Sequence, residues 1–270
     1  MININNKNKL RFLTTIQARM NSSRLHGKVC LKFEKSKNTL EILIDRLKKS
    51  KYANKILIAT TAKKNDDKIV SIAKEKKCLC YRGSEKNVLQ RLVNATKIKN
   101  VNSIIQLTGD NPFIDPLIID YIVEFFIKNY PKYDYVTNNN LFDKKKSVPL
   151  GMIVSVFKAK SLKEISKLAN KQEHFEHPSL YFYQEGKNKF KIKNLKMPNK
   201  WCSKLNPRLT LDTKEDYIFL KKIYNDLKHK DNFTLIDIFR LLKNKRNYLS
   251  INKNIKQKIP STLKKSKLNL

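Results

Sequence analysis

Residues 12–28 read FLTTIQARMNSSRLHGK, and the junction inside this stretch decides the fold that we expect. Its first five residues are apolar or β-branched, which is typical of a buried strand. The residues that follow, 17–28, are irregular and set Arg19, Arg24 and Lys28 among small side chains. A loop that leaves a strand with free backbone N–H groups and several positive charges is a common way to hold a triphosphate. The stretch therefore predicts a phosphate-binding loop after a first strand.

The spacing of this loop excludes two familiar kinds of phosphate site. A Walker loop needs G-x-x-x-x-G-K-[ST], and a dinucleotide site needs G-x-G-x-x-G. Residues 17–28 contain neither pattern. A plain basic surface loop is the alternative, because 58 of the 270 residues are Lys or Arg.

The net charge of +35 raises the question of a polyanionic partner. The lysine excess runs along the whole chain, including segments that predict amphipathic helices. A general compositional bias explains such a spread as well as selection for a polyanion does. We therefore keep nucleic-acid binding as an alternative and do not expect it to be the main role.

The cysteines and the apolar segments indicate where the protein works. Four cysteines, at positions 30, 78, 80 and 202, form no C-x-x-C pair. Such residues are explained as small buried side chains in a reducing compartment. No run of 18 apolar residues occurs, and the first residues lack the apolar core of a signal peptide. We expect a cytoplasmic protein without membrane insertion.

The first half of the chain has the rhythm of an α/β protein. Between Phe12 and Val136, short β-like runs alternate with helical segments, which is typical of βαβ units and a parallel sheet. Asn38–Glu41 and Thr213–Asp216 have the pattern of helix-capping segments. Asp115 followed by Pro116 predicts another helix start, with Asp as the N-cap and Pro in the first turn.

The regular alternation of predicted strands and helices ends after residue 137. We expect one strand over Val148–Phe157 and a further strand over Arg208–Leu211. The sequence thus predicts a single α/β domain over residues 1–250, with an arm inserted at about 138–200. Residues 251–270 are basic and weakly patterned, and we interpret them as a tail.

Asp110 follows a predicted strand, Ser103–Leu107, and Gly109 before it allows close backbone approach. In an open parallel sheet, ligands bind at the carboxyl ends of the strands. A carboxylate that faces a cationic triphosphate loop suits Mg²⁺, which binds one or two carboxylates together with phosphate oxygens. The sequence Gly-Asp-Asn-Pro also suits a simple turn, so this motif alone leaves both interpretations open.

Two further motifs have similar alternatives. In RLTLDT, residues 208–213, Asp212 could complete a pair of metal carboxylates with Asp110, or could contribute to a helix N-cap. In YRGSEKNVLQR, residues 81–91, Arg82 and Arg91 could face a nucleotide, or the segment could be a turn followed by a helix cap.

The order of these motifs along the chain resembles the cytidylyltransferases. The motifs are Q-A-R-M-x-S-S-R-L-x-G-K, R-G-S-E-x-x-V-L-x-R, T-G-D-x-P-x-I-D-P and R-L-T-L-D-T-x-E-D. The resemblance runs from about Phe12 to Leu227 and is to the spore coat polysaccharide branch, which is related to the CMP-Kdo and acylneuraminate cytidylyltransferases. It implies a three-layer α/β/α nucleotide-diphosphosugar transferase (Rossmann-like) fold. The sheet would be mixed and mainly parallel, with a small inserted arm for dimerisation and for covering the sugar pocket.

The resemblance also implies a function and a set of site residues. The function is transfer of CMP from CTP to a sugar, an acidic sugar for surface polysaccharide or glycan biosynthesis, with release of pyrophosphate by a Mg²⁺-dependent homodimer. The implied catalytic residues are Arg19, Lys28 and Asp110, and the implied Mg²⁺ ligands are Asp110 and Asp212. The implied nucleotide-binding residues are Gln17, Ala18, Arg19, Ser23, Arg24, Lys28, Arg82, Arg91 and Gly109.

The chain departs from the family pattern at four positions. Relatives usually have Gly at the position of Asn21 and Pro at that of His26. They commonly read G-L-D-V-E-V-F where residues 151–157 stand, so that Ile153 and Ser155 replace two acids. This loss puts sugar contacts or part of the metal arrangement in doubt, and it keeps a catalytically inactive nucleotide-binding homologue as an alternative.

Overall fold

The computed structural model describes residues 10–97, 101–139 and 148–257. The strands within these ranges, in chain order, are β1 (Phe12–Gln17), β2 (Lys32–Glu34), β3 (Lys37–Asn38), β4 (Ile56–Thr61), β5 (Leu79–Gly83), β6 (Ser103–Thr108), β7 (Tyr135–Thr137), β8 (Ser155–Lys158) and β9 (Ile192–Asn194). The helices are α1 (Thr39–Leu47), α2 (Asp67–Glu75), α3 (Val88–Lys97), α4 (Pro116–Lys128), α5 (Ala159–Leu168), α6 (Gln172–Glu176), α7 (Pro178–Tyr183), α8 (Lys214–Leu227) and α9 (Leu235–Asn244).

Seven of these strands form one sheet in the order β5-β4-β1-β6-β8-β7-β9. The neighbours β5, β4, β1 and β6 run parallel, and so do β7 and β9. Strand β8 runs antiparallel to both β6 and β7. The predicted mixed, mainly parallel sheet is therefore confirmed.

Helices cover both faces of the sheet, because the strands alternate apolar side chains between the two faces. In β4, Ile56 and Ile58 pack in a core with side chains of α1, α2, α4, α8 and α9. The intervening Leu57 and Ala59 pack in a second core with side chains of α3, α5 and α7. The three-layer α/β/α architecture is thus built from the period-two alternation of buried strands.

The predicted helix starts are confirmed by their hydrogen bonds. Asn38 caps α1 and forms a reciprocal capping box with Glu41. Asp115 caps α4, whose first residue is proline. Thr213 and Asp216 form the same kind of box at α8. Each pair satisfies N–H groups that a helix N-terminus would otherwise leave unbonded.

The long strand predicted over Val148–Phe157 is wrong, since β8 begins only at Ser155. Pro149 has no N–H group to donate to a neighbouring strand. Gly151 has a φ of +98°, and a Cβ there would lie 2.5 Å from the carbonyl oxygen of Leu209. Such a conformation is open to glycine and ends a regular strand.

The strand predicted over Arg208–Leu211 is also wrong, because this segment pairs with loops. The Leu209 N–H donates to the carbonyl oxygen of Leu150 at 2.9 Å. The Leu211 N–H donates to the carbonyl oxygen of Asp110 at 2.8 Å. The segment therefore lies across the end of the sheet.

The described residues of the predicted arm, at about 138–200, and of the predicted tail, 251–270, pack against the rest of the domain. From the stretch 138–200, β8 and β9 lie in the central sheet, and α5 and α7 pack in the second core. From the predicted tail 251–270, Asn252 is buried and donates to the Arg208 carbonyl oxygen at 3.1 Å. Residues 258–270 lie outside the described ranges. No helix in the described part of the chain is long and apolar enough to cross a membrane.

Candidate active site

The two motifs that follow β1 and β6 meet at one edge of the sheet. Gln17 and Thr108 are in register at the carboxyl ends of these neighbouring parallel strands. The Gly109 N–H donates to the Gln17 carbonyl oxygen at 2.8 Å. A Cβ on Gly109 would lie 3.1 Å from the Cβ of Ala18 and 3.2 Å from Val29. Glycine therefore lets the loop 17–28 pack closely against the Asp110 loop, where a larger residue would be tightly packed.

Lys28 joins the two predicted metal carboxylates. Its Nζ donates to Asp110 Oδ2 at 2.8 Å and to Asp212 Oδ1 at 2.8 Å. The backbone bond from the Leu211 N–H to the Asp110 carbonyl oxygen brings Asp212 to this place. The three residues come from distant motifs, and the structure brings them together at the edge where ligands bind in such sheets.

Asp212 is 3% exposed and is held by two arginines besides Lys28. Arg24 Nη2 lies 2.7 Å from its Oδ1, and Arg208 Nη2 lies 2.6 Å from its Oδ2. Arg208 Nε also donates to Asp216 Oδ1 at 3.0 Å. Arg208 was not among the predicted site residues, although its spacing of four residues from Asp212 is a signal for such a pair in the sequence.

The charges of this cluster reinforce one another. Burial raises the pKa of Asp212, but Lys28, Arg24 and Arg208 lower it more, so that it lies below its ordinary value. Burial lowers the pKa of Lys28, but Asp110 and Asp212 raise it more, so that it lies above its ordinary value. Both groups are therefore charged at neutral pH.

Asp110 is oriented by a hydroxyl group on its other oxygen. The Thr108 hydroxyl donates to Asp110 Oδ1, while Oδ2 accepts from Lys28. Asn111 in turn donates its amide to the Thr108 oxygen at 2.9 Å. The carboxylate is thus fixed by its own loop and presents one oxygen to the centre of the site.

The loop 17–28 is anchored by Asp66, which immediately precedes α2. Asp66 is 1% exposed, and its Oδ1 accepts the Met20 N–H at 2.7 Å. Its Oδ2 accepts from the Thr60 hydroxyl at 3.0 Å and from the Thr61 N–H at 3.1 Å. A buried acid with donors on both oxygens holds the loop against the end of β4. A single sequence offers no signal for this long-range contact.

Asn21, at a position where the resemblance led us to expect Gly, connects the same loop to two others. Its amide donates to Glu85 Oε1 at 3.2 Å, and its own oxygen accepts from the Asn65 amide at 2.9 Å. The Asn21 side chain therefore adds contacts between the loops that follow β1, β4 and β5.

The predicted nucleotide residues on β5 and α3 lie beside this loop region. Arg82 donates to the carbonyl oxygens of Thr61 at 3.0 Å and Lys63 at 2.7 Å. Arg91 is buried and donates to the Ser84 carbonyl oxygen at 2.6 Å. Burial, and then the nearby charge of Arg19, lower the pKa of Arg91 to about 10.

The predicted residues thus fall into three sets. Lys28, Asp110 and Asp212 meet directly, and Arg24 joins them through Asp212. Gly109 contacts Gln17 and Ala18, so these three residues lie next to the Asp110 loop. Arg19 and Ser23 are exposed on the loop 17–28, and Arg19 lies near Arg91. Arg82 donates to backbone oxygens at and after the end of β4. None of these residues contacts the carboxylates of Asp110 or Asp212 directly.

The carboxylate pair fits a Mg²⁺ ion in the chemistry of its donors. Mg²⁺ is held by one or two carboxylates, with phosphate oxygens and water completing its shell. Asp110 and Asp212 each present one oxygen to a single point, and protein donors fix the other oxygen of each. Among the described residues there is no group of three or more acidic, His or Cys side chains that could hold a metal by itself.

A row of uncharged polar side chains crosses the sheet beside this cluster. Gln106, Ser155, Thr137 and Asn194 are in register on β6, β8, β7 and β9, so they lie on one face. The Ser155 hydroxyl is 2.8 Å from the Tyr135 hydroxyl. Ser155, at a position where the resemblance led us to expect an acid, therefore carries a hydroxyl within a hydrogen-bonded group.

Comparison with known proteins shows which family the chain resembles over most of its length. The cytidylyltransferase family model matches residues 13–258. The spore coat polysaccharide biosynthesis protein SpsF of Bacillus subtilis (strain 168) is 33% identical over 235 residues, which cover 85% of this chain and 93% of that protein.

The solved structures that are similar to this chain include the following two. A cytidylyltransferase from Leptospira borgpetersenii serovar Hardjo-bovis (strain JB197) has a TM-score of 0.81 at 31% identity, covering 93% of this chain and 99% of that one. The CMP:2-keto-3-deoxy-manno-octonic acid synthetase, solved with CTP, has a TM-score of 0.59 at 14% identity, covering 80% and 99%. The second likeness shows the fold alone, which is the Rossmann-like fold of nucleotidyltransferases that we predicted.

The family match spans most of the chain, and the resemblance expected from the four motifs is confirmed. The chain belongs to the cytidylyltransferase family.

Proposed function

We propose that the protein transfers CMP from CTP to a sugar and releases pyrophosphate. The observation that carries this proposal is the meeting of Lys28, Asp110 and Asp212 beside the cationic loop 17–28. Two carboxylates and several fixed cations at the carboxyl edge of a sheet suit a metal–triphosphate ligand. The family supports nucleotidyl transfer, and the synthetase of the same fold was solved with CTP.

In the proposed reaction the sugar hydroxyl attacks the α-phosphorus of CTP in line with the departing group. A bond forms between the sugar oxygen and phosphorus, the bond to the bridging oxygen breaks, and the hydroxyl proton leaves for solvent. Pyrophosphate carries away the electron pair. Such a reaction depends mainly on positioning and on stabilising charge.

The positively and negatively charged residues of the site would have different roles in this reaction. Arg19, Arg24 and Lys28 would neutralise the negative charge that grows on the pyrophosphate. Asp110 and Asp212 would hold Mg²⁺, which, when bound, withdraws charge from the phosphate oxygens and orients them. Arg82 and Arg91, on the side of β5, would lie toward the nucleoside. The loop contacts of Asp66 and Asn21 would keep the cations in place.

The acceptor would lie on the other side of the cluster, along Gln106, Ser155 and Asn194, which are the partly or fully exposed members of the polar row. A row of hydroxyl and amide groups suits the hydroxyls of a sugar ring. We propose an acidic sugar for a surface polysaccharide or glycan, because the relative SpsF is named for spore coat polysaccharide biosynthesis. We also propose that the enzyme works in the cytoplasm as a homodimer, which sedimentation of the purified chain would test.

A pyrophosphate-release assay with CTP, Mg²⁺ and a panel of sugars tests the proposed reaction. We expect release with at least one acidic sugar and none when CTP is replaced by ATP. The control variant is Lys76→Met, since Lys76 forms a similar ion pair with Asp45 outside the site. Release that is equally fast with all nucleotides would contradict the proposal.

A second candidate function follows from Ile153 and Ser155, which stand where relatives have acids. The protein would then bind the nucleotide without turning it over. CTP binding together with no pyrophosphate release across the whole sugar panel would favour this candidate. The polyanion alternative, which rests on the charge of +35, predicts nucleic-acid binding that persists near physiological salt with a steep salt dependence.

A further inference from the structure

Lys28 occupies the point between Asp110 and Asp212 where a divalent cation would bind. Its ammonium nitrogen lies 2.8 Å from one oxygen of each carboxylate. Only 12% of the Lys28 side chain is exposed, so the nitrogen is enclosed by the groups it contacts. An ammonium group and a divalent ion placed here would need the same two oxygens.

The carboxylates are held independently of Lys28. The Thr108 hydroxyl donates to Asp110 Oδ1, which is the oxygen that Lys28 does not contact. Arg208 donates to Asp212 Oδ2 at 2.6 Å, again the oxygen away from Lys28. When Lys28 moves out, these donors keep both inner oxygens aimed at the same point, with Arg24 still 2.7 Å from the inner oxygen of Asp212. Outer contacts of this kind are what orient metal ligands in proteins.

The charge balance opposes a cation that enters while Lys28 stays. The two carboxylates are already offset by Lys28, by Arg24, which lies 2.7 Å from Asp212 Oδ1, and by Arg208, which Asp212 shares with Asp216. A divalent ion beside these groups would meet the positive charges of Lys28 and Arg24 on the oxygens that it needs. A triphosphate changes this balance, because it supplies negative charge to which a long, flexible lysine side chain can turn.

We propose that Lys28 holds the two aspartates together in the nucleotide-free protein and gives up its place to Mg²⁺ only when nucleotide phosphates draw it away. Metal and nucleotide then bind as a unit, and the free protein has little affinity for the metal. The nucleotide half of this inference rests on the proposed function, whereas the competition between Lys28 and the metal does not.

Binding of Mn²⁺ to the full chain without nucleotide tests the competition. Free Mn²⁺ is measured by electron paramagnetic resonance for the wild type, Lys28→Met and Lys28→Gln. If Lys28 leaves the site free for a tenth of the time or less, its removal raises the apparent affinity by about tenfold or more. Adding Asp110→Asn to Lys28→Met should abolish this gain. Lys76→Met, which breaks the Asp45 ion pair, should bind Mn²⁺ as the wild type does.

The possible results separate this inference from the proposed function. Equal Mn²⁺ affinity in the wild type and in folded Lys28→Met and Lys28→Gln proteins would overturn the competition, with no nucleotide involved. In the wild type, CTP should raise Mn²⁺ binding beyond what the same concentration of CTP binds without protein, and this extra binding should be small in Lys28→Met, whose site is already free; CTP that binds the wild type with no extra Mn²⁺ binding would overturn the coupling. A wild type that binds no CTP would contradict the proposed function instead.

Discussion

Replacing Arg208 by methionine tests whether the buried charges around Asp212 hold this end of the protein together. Arg208 Nη2 lies 2.6 Å from Asp212 Oδ2, and its Nε lies 3.0 Å from Asp216 Oδ1. Its Nη1 also donates to Gln257 at 2.6 Å. Methionine keeps the apolar stem and removes all of these donors.

The size of the effect follows from what remains bound. Removing one partner of a buried ion pair costs about 3–5 kcal/mol, because the other charge stays buried. Asp212 keeps Lys28, and Asp216 keeps the Asn252 amide at 2.9 Å. We therefore expect the lower end, a loss of about 3 kcal/mol in the free energy of unfolding. For a domain of this size the melting temperature should fall by about 6–12 °C.

Urea denaturation of the wild type and Arg208→Met measures this loss. The matched control is Arg240→Met, since Arg240 is 75% exposed and lies 3.9 Å from Asp237. The control should change the free energy of unfolding by less than about 0.5 kcal/mol. If Arg208→Met lost no more than the control, the buried charge network would contribute nothing to stability and our reasoning would be refuted.

Three further predictions concern single acids. Asp110→Asn should lower turnover by about 100-fold or more in a folded protein, because an amide binds Mg²⁺ less well than a carboxylate and does not balance the positive charge of Lys28. Full activity in the pyrophosphate assay would show that Asp110 has no part in the reaction. Asp66→Asn should lower the free energy of unfolding by about 2 kcal/mol, since an amide group would face the Thr61 N–H; a loss within error in urea denaturation would contradict this. Burial raises the pKa of Asp237, but Lys230 and Thr234 lower it further, to about 2. The stability from Asp237 is therefore present above the unfolded pKa of about 4 and lost as the pH falls toward 2, so Asp237→Asn should flatten that part of the pH–stability curve; an unchanged curve would refute it.

The sequence could predict the features that depend on local pattern. Strand β1 and the strand before Asp110 are short apolar runs, and their period-two burial is what the sheet requires. The capping residues Asn38, Asp115 and Thr213 act through neighbours in the chain, so their roles are visible in the sequence. The place of Asp110 followed from the rule that ligands bind at the carboxyl ends of parallel strands.

The features that the sequence could not predict depend on distant contacts. Val148–Phe157 is apolar enough for a strand, but the backbone at Gly151 and its contact with Leu209 break it. Asp66 resembles an ordinary helix start until its bond to Met20 is seen. The direct contact of Lys28 with both aspartates requires the segment at Leu211 to cross the end of the sheet.

The most direct test of a CTP site at Lys28, Asp110 and Asp212 is calorimetric titration of the full chain with CTP, UTP, ATP and GTP in the presence of Mg²⁺. We predict that CTP binds with the highest affinity, and that Arg19→Ala loses most of this binding while Lys76→Met retains it. Binding to none of the four nucleotides, or equal binding in Arg19→Ala, would contradict the proposed function.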